Sequence, residues 1–158
     1  MNKRILDVCC GSKMFYFDKH NPDVEFCDKR DIDEYEYYPG RKIEIKPDTV
    51  CDFTNLPFAD KSYKVVVFDP PHLKNVGDNS WTIVKYGRLD GDWKEMLRKG
   101  FSECFRVLDD DGVLIFKWNE IQIPLRDILK LAPCKPLFGT RGGKAFQTYW
   151  VCFIKPRE

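Results

Sequence analysis

The sequence predicts an α/β protein: an open, doubly wound, mostly parallel sheet of seven strands, with helices on both faces and an antiparallel hairpin at the C-terminal end. Three observations predict it. Short runs of β-branched and aromatic residues alternate with helix-period segments, the pattern of parallel strands joined by crossovers. The run Val65, Val66, Val67, Phe68 is apolar at consecutive positions, as a strand covered on both faces must be. The last two candidate strands, near residues 136–138 and 146–155, flank a glycine-rich turn from Gly139 to Gly143 that is too short for a crossover, so they pair antiparallel. The 158 residues make one domain, 1–158, long enough to bury a real core, and no repeat or interdomain linker interrupts it.

Taken in order, residues 4–8 form a first strand that runs into the turn Cys9-Cys10-Gly11-Ser12. Residues 13–20 read as a short helix or helical turn, ended before Asn21-Pro22. A second strand, 24–27, stops at Asp28, and the stretch 29–41, dense in charge and tyrosine, reads as a solvated loop or helix. Residues 43–45 alternate with charge. A third strand at 50–53 presents Asp52, and the connector 55–62 leads into the fourth strand. That fourth strand stops at Asp69 because Pro70 and Pro71 can donate no ladder hydrogen bond. Residues 73–87 are polar, turn-rich and too long for a tight connection, which makes them a candidate lid. The clearest helix follows, capped by Asp90 or Asp92, with Trp93, Met96, Leu97, Gly100, Phe101, Cys104, Phe105 and Leu108 at three- and four-residue spacing. The acidic run 109–112 ends it. Residues 113–118 form a fifth strand, and 123–131 a short helix with Pro124 in its first turn.

Composition bounds the function. With 26 basic against 25 acidic residues the formal net charge is +1, so no global field announces a polyanionic partner. The 7 cysteines show no CxxC or CxxH spacing and read as reduced, buried small hydrophobes, so no metal site is expected. Charge and a β-run begin at Lys3, which is no signal peptide, and no apolar run approaches the ~20 residues of a membrane helix. The expectation is a soluble, cytoplasmic protein without a membrane partner.

Acids recur where strands end. In an open α/β sheet the carboxyl edge is where ligands bind. Gly11, between the small residues Cys10 and Ser12, lets a ligand approach the backbone of the first turn. Asp7 could hold a cationic amino group. Asp28, about 20 residues past the first strand's start, stands where an acid bonds ribose hydroxyls. Asp52 could accept from an adenine amine, with Phe53 or Leu56 against the ring. Taken singly, each acid is equally a turn former or a helix cap. Neither GxGxxG nor GxxxxGK[ST] occurs, so a cofactor without phosphates fits best.

The segments ILDVCCGS, DFTNLPFADKSYKVVVFDPPH and RVLDDDGVLIFKW together resemble the motif series of class I S-adenosylmethionine-dependent methyltransferases. Asp69-Pro70-Pro71-His72 resembles the [DNS]PP[YFWH] signature of those that methylate an exocyclic amino nitrogen, mostly on nucleic-acid bases. The resemblance implies a Rossmann-like fold and S-adenosyl-L-methionine as cofactor, held by Asp7, Cys9, Cys10, Gly11, Ser12, Asp28, Asp52, Phe53 and Asp69. It implies catalysis by Asp69 and the Pro70 carbonyl, each accepting one amine N–H, with Pro71 stiffening the turn and His72 stacking on the target base. Lys85, Tyr86, Lys117, Trp118 and Asn119 would contact the substrate, DNA or RNA, with adenine N6 favoured over cytosine N4; Lys74, Arg88, Arg141 and Lys144 would line the mouth. Trp118 is equally a core tryptophan and Lys117 equally a snorkelling lysine. Two features depart from the family: Cys9 and Lys13 stand where it carries loop glycines, and the helix it places before strand one has no counterpart. No segment is large enough for a target-recognition domain, which leaves room for a partner subunit or a homodimer. Two other readings stand beside this one: a methyltransferase of the same fold acting on a small-molecule or protein amine or amide, and a non-catalytic binding module.

Overall fold

Strand β1 (Ile5–Asp7) lies inside a seven-stranded sheet, paired in parallel with β2 (Val24–Asp28) on one side and β6 (Tyr63–Phe68) on the other. This is seen in a computed structural model that describes residues 3–78, 80–140 and 147–157. Beyond β2 lies the two-residue β5 (Thr49–Val50), and beyond β6 the long β7 (Leu108–Asn119), both parallel. The last strand, β9 (Thr148–Ile154), runs antiparallel between β7 and the short β8 (Phe138–Gly139), giving the order β5-β2-β1-β6-β7-β9-β8. The turn expected between the last two strands falls largely outside the described residues.

One face of this sheet carries the main core. Leu6, Val66, Phe68, Leu114, Phe116, Trp118 and Phe153 are fully buried there, against helix α2 (Trp93–Val107). Asp92 caps α2 by accepting from the Glu95 amide, and Leu97, Phe101, Cys104 and Phe105 form its buried stripe. Gly100 lies where α2 crosses the sheet: a Cβ there would come 2.7 Å from the rings of both Phe53 and Phe68. Helix α3 (Leu125–Leu129) adds Ile128 to the same cluster. On the other face Ile5, Val65, Val113 and Ile115 are only half-buried, and Val24 and Phe26 are covered by Tyr16.

Three expectations are corrected. No helix forms over residues 13–20; they run as turns, with Lys13 at φ 55° and Asp18 accepting from the His20 amide. The left-handed backbone of Lys13 breaks a right-handed helix at its first residue. The stretch expected as solvated loop or helix is instead an antiparallel pair, β3 (Ile32–Tyr38) and β4 (Arg41–Ile45), joined by Pro39-Gly40 with Gly40 at φ 73°. The crossovers β1–β2 and β2–β5 are therefore turns and a hairpin, and α2 and α3 share one core. The acidic run belongs to the start of β7: α2 stops at Val107, one position before the predicted Leu108.

The connector 51–62 has almost no regular structure and is fixed from α2. Arg106 donates to the carbonyls of Phe58 (2.7 Å) and Leu56 (3.0 Å) and pairs with Asp60 and Glu103. Glu103 in turn accepts from the Leu56 amide at 2.7 Å.

Candidate active site

The carboxyl edge of β1, β2, β6 and β7 opens into a cavity of about 430 Å³. The first turn, Cys9 to Ser12, forms one wall; Asp28 and Phe53 form another; Asp69, Pro70, Pro71 and His72 line the floor, with Lys117 and Asn119 beside them. The candidate lid contains helix α1 (Trp81–Tyr86), which brings Lys85 and Tyr86 to the mouth. Both ends of that segment are fastened. Gln122 accepts from the amides of Lys74 and Asn75, and the Leu89 amide donates to the Leu73 carbonyl at 2.8 Å. Gly87, at φ 72°, sits so close to Pro71 that a Cβ would come 3.0 Å from its ring.

Asp7 is fully buried behind the first turn rather than on the cavity wall. Its Oδ1 accepts from the Cys9 amide at 3.0 Å, while Oδ2 has no partner; the Tyr16 hydroxyl faces it without reaching hydrogen-bond geometry. Burial pushes this carboxyl up to about 7. Gly11 takes φ 50°, the left-handed region that its lack of a Cβ permits, and donates its amide to Asp28 at 2.9 Å. Half-buried Cys9 and buried Cys10, beside these acids, are held well above the usual thiol range by desolvation.

Arg30 escaped the sequence reading. Its Nε and Nη2 grip Asp28 at 2.9 and 3.1 Å, and its Nη1 donates to the Val84 carbonyl of α1 at 3.0 Å. With the Arg30 and Gly11 amides also bonded, all four acceptor sites of Asp28 are taken. The only signal was the order Asp28-Lys29-Arg30, a cation two residues past a strand-end acid.

Asp69 is mostly buried and pairs with Lys117, Nζ to Oδ2 at 2.7 Å. Desolvation raises its pKa and Lys117 opposes the rise. Burial, then Lys117, lowers that of His72, so its ring is neutral near pH 7; it lies 5.9 Å from Tyr86, centroid to centroid. Three expected site residues sit elsewhere or act otherwise. Asp52 is exposed and caps its own turn, accepting from the Thr54 amide and hydroxyl at 2.8 Å. Trp118 is a core residue, fully buried, its indole donating to the Ile123 carbonyl at 2.9 Å. Lys117 faces Asp69 rather than solvent. Asn119 does reach the wall, holding the Thr148 hydroxyl at 3.0 Å. Lys74 and Arg88 stay off the wall, Arg88 paired to Asp78 and Asp90, and Arg141 and Lys144 lie outside the described residues. Among the described residues no cluster could hold a metal ion, and no helix is long and apolar enough to cross a membrane.

No protein-family model and no curated protein sequence matches the chain. Solved structures do match it. A TehB-like SAM-dependent methyltransferase from Corynebacterium glutamicum superposes with a TM-score of 0.57 at 13% identity, over 98% of this chain and 81% of its own. A SAM-dependent methyltransferase from Leishmania major gives 0.54 at 11%, over 96% and 64%. A Haloferax volcanii methyltransferase, solved with the Trm112 methyltransferase activator, gives 0.52 at 12%, over 99% and 84%. The fold is therefore that of the SAM-dependent (S-adenosylmethionine-dependent) methyltransferases.

Proposed function

We propose that this chain is an S-adenosyl-L-methionine-dependent methyltransferase acting on an exocyclic amino nitrogen of a nucleic-acid base, adenine N6 in first place. The observation that carries the reading is the Asp69-Pro70-Pro71-His72 turn on the cavity floor, facing the first turn across the sheet edge. The fold of the solved methyltransferases supports the cofactor. So does Gly11 on the cavity wall, whose bare backbone at φ 50° lets a ligand come close to the first turn.

The bound cofactor would supply an electrophilic methyl carbon, its sulfur keeping the electron pair of the broken bond. Phe53, buried at the wall, offers a face to an adenine ring. An aromatic amine is a weak nucleophile because its lone pair is delocalised. Asp69 Oδ1 and the Pro70 carbonyl each accept one N–H, which turns the lone pair toward the methyl carbon. Fixing two reactants in this way supplies up to about 7–11 kcal/mol of a barrier. Neutral His72 presents a flat ring for the base to stack on, and Asp69 receives the proton that the nitrogen sheds after methylation.

One observation favours a second acceptor class, a free nucleoside or other small amine. Of the four cations on the cavity wall among the described residues, Arg30 and Lys117 are paired with carboxylates rather than set out for phosphates, which leaves Lys29 and Lys85. The experiment is incubation with radiolabelled cofactor and a panel of DNA, RNA and nucleosides, then digestion and identification of the methylated nucleoside. Asp69→Ala should abolish transfer while leaving S-adenosylhomocysteine binding intact; full activity in that variant overturns the assignment. A steep fall of substrate affinity with salt marks a nucleic acid, and its absence marks the small acceptor.

A further inference from the structure

Lys117 enters the site by strand register. Phe68 pairs with Phe116 across β6 and β7, so the next residues, Asp69 and Lys117, meet at the sheet edge. Alternation along β7 sends Phe116 and Trp118 into the core and leaves Lys117 on the opposite face. There its ammonium lies 5.3 Å from the Phe15 ring centroid and 5.6 Å from that of Trp150. The two rings meet edge to face, 5.1 Å apart at 87°, so three segments of the chain wall in one cation. Among the described residues Asp69 is its one hydrogen-bonded partner, and Asp69 Oδ1 accepts no bond.

We propose that Lys117 is the positioning residue of the site: caged by Phe15 and Trp150, it engages Asp69 Oδ2 and leaves Oδ1 presented to the acceptor amine. This rests on the methyl-transfer reading and deepens it. The other titratable groups around Asp69 offer it no positive charge. Asp7 on β1 is a second, buried carboxyl, Cys9 in the first turn is a half-buried thiol, and His72 on the same turn as Asp69 is neutral. Of these only Lys117 favours the ionised carboxylate. Without it Asp69 would keep its proton and turn from acceptor into donor, and an amine whose N–H groups need acceptors would lose one of them.

The test compares the full-length chain with Lys117→Met, which keeps the bulk and removes the charge, and Lys117→Arg, which keeps the charge. The Asp69 carboxyl carbon is titrated by NMR in cofactor-free protein, and kcat/KM is measured from pH 6 to 9 on the best acceptor found. Expected are an upward move of the Asp69 titration by one pH unit or more in Lys117→Met, a tenfold or greater loss of kcat/KM at pH 7 that recovers as pH rises, and a near-native profile in Lys117→Arg. An Asp69 titration unchanged by Lys117→Met, or an activity loss equal at every pH, overturns the proposal. Should Lys117→Met not fold, Asp69 of the unmodified chain titrating above pH 7 overturns it, and titration below pH 6 sustains it. Should no acceptor be methylated, the titration still decides what Lys117 does to Asp69, and the acceptor assignment falls separately.

Discussion

Arg30→Ala isolates the question of what Asp28 is for. In the free protein both Asp28 oxygens are saturated, two of the four bonds coming from the Arg30 guanidinium. Ribose hydroxyls can reach Asp28 only by displacing that guanidinium, and a hydrogen bond to a charged group is worth about 1.5–3 kcal/mol net. The Arg30 side chain is 23% exposed, so water recovers part of what is lost on displacement. One bond's worth, at the lower end of that range, is the reasonable net cost, and it corresponds to about tenfold in affinity. Removing the side chain should therefore tighten S-adenosylhomocysteine binding about tenfold by titration calorimetry. The free variant should melt lower than the unmodified chain, because Asp28, only 4% exposed, is left without its countercharge. The ligand-induced rise in melting temperature should be correspondingly larger. Affinity that is unchanged, or weaker by more than a few-fold, would refute the reasoning and remove Asp28 as the ribose acceptor.

Further outcomes are expected. Gly100→Ala inserts a methyl group 2.7 Å from two ring carbons; overpacking of about 1–3 kcal/mol outweighs the gain in helix propensity, and thermal unfolding should show a drop of several degrees. Asp7 keeps its proton up to about pH 7 in the fold but loses it near pH 4 when unfolded. Stability from this group is thus complete below pH 4 and falls by about 1.4 kcal/mol per unit until pH 7, beyond which it is flat. Asp7→Asn should flatten that window in urea titrations; an unaltered pH profile counts against the burial argument. Unmodified protein that fails to bind S-adenosylhomocysteine at millimolar concentration would favour the non-catalytic reading.

The elements legible in the sequence are those whose signal is one-sided. The run ending in Asp69-Pro70-Pro71 could only be a buried strand stopped by imino acids, and the stripe from Trp93 to Phe105 had one period. The β3–β4 hairpin was hidden because β3 is exposed for most of its length, so charge and tyrosine follow one another there without an apolar side, and only Ile43 and Ile45 of β4 are buried. Its legible mark was Pro39-Gly40, a turn dipeptide between Ile32 and Ile45. Asp28 and Asp69, read from strand ends, both line the cavity, but a rule about ends cannot say which way a side chain turns. Asp52 used its oxygen on its own loop, and Trp118 obeyed the alternation of β7, which the neighbouring Lys117 would have revealed. Arg30 was illegible because its partners, Asp28 and Val84, are brought together only by the tertiary fold.

The grip of Arg106 on residues 56–60 imposes an order on how the chain comes together. Those residues hold one another by little, and the side chain that organises them is made some fifty positions later, on a helix that must itself dock before its guanidinium can reach two carbonyls. Phe53 is completed by the same event: its ring already meets Phe68 of β6, and the gap left by Gly100 receives its other side. A nascent chain that has emerged as far as β6 therefore holds the acids of the site on unfinished ground. The wall that Phe53 provides is closed from behind when the second half of the molecule arrives.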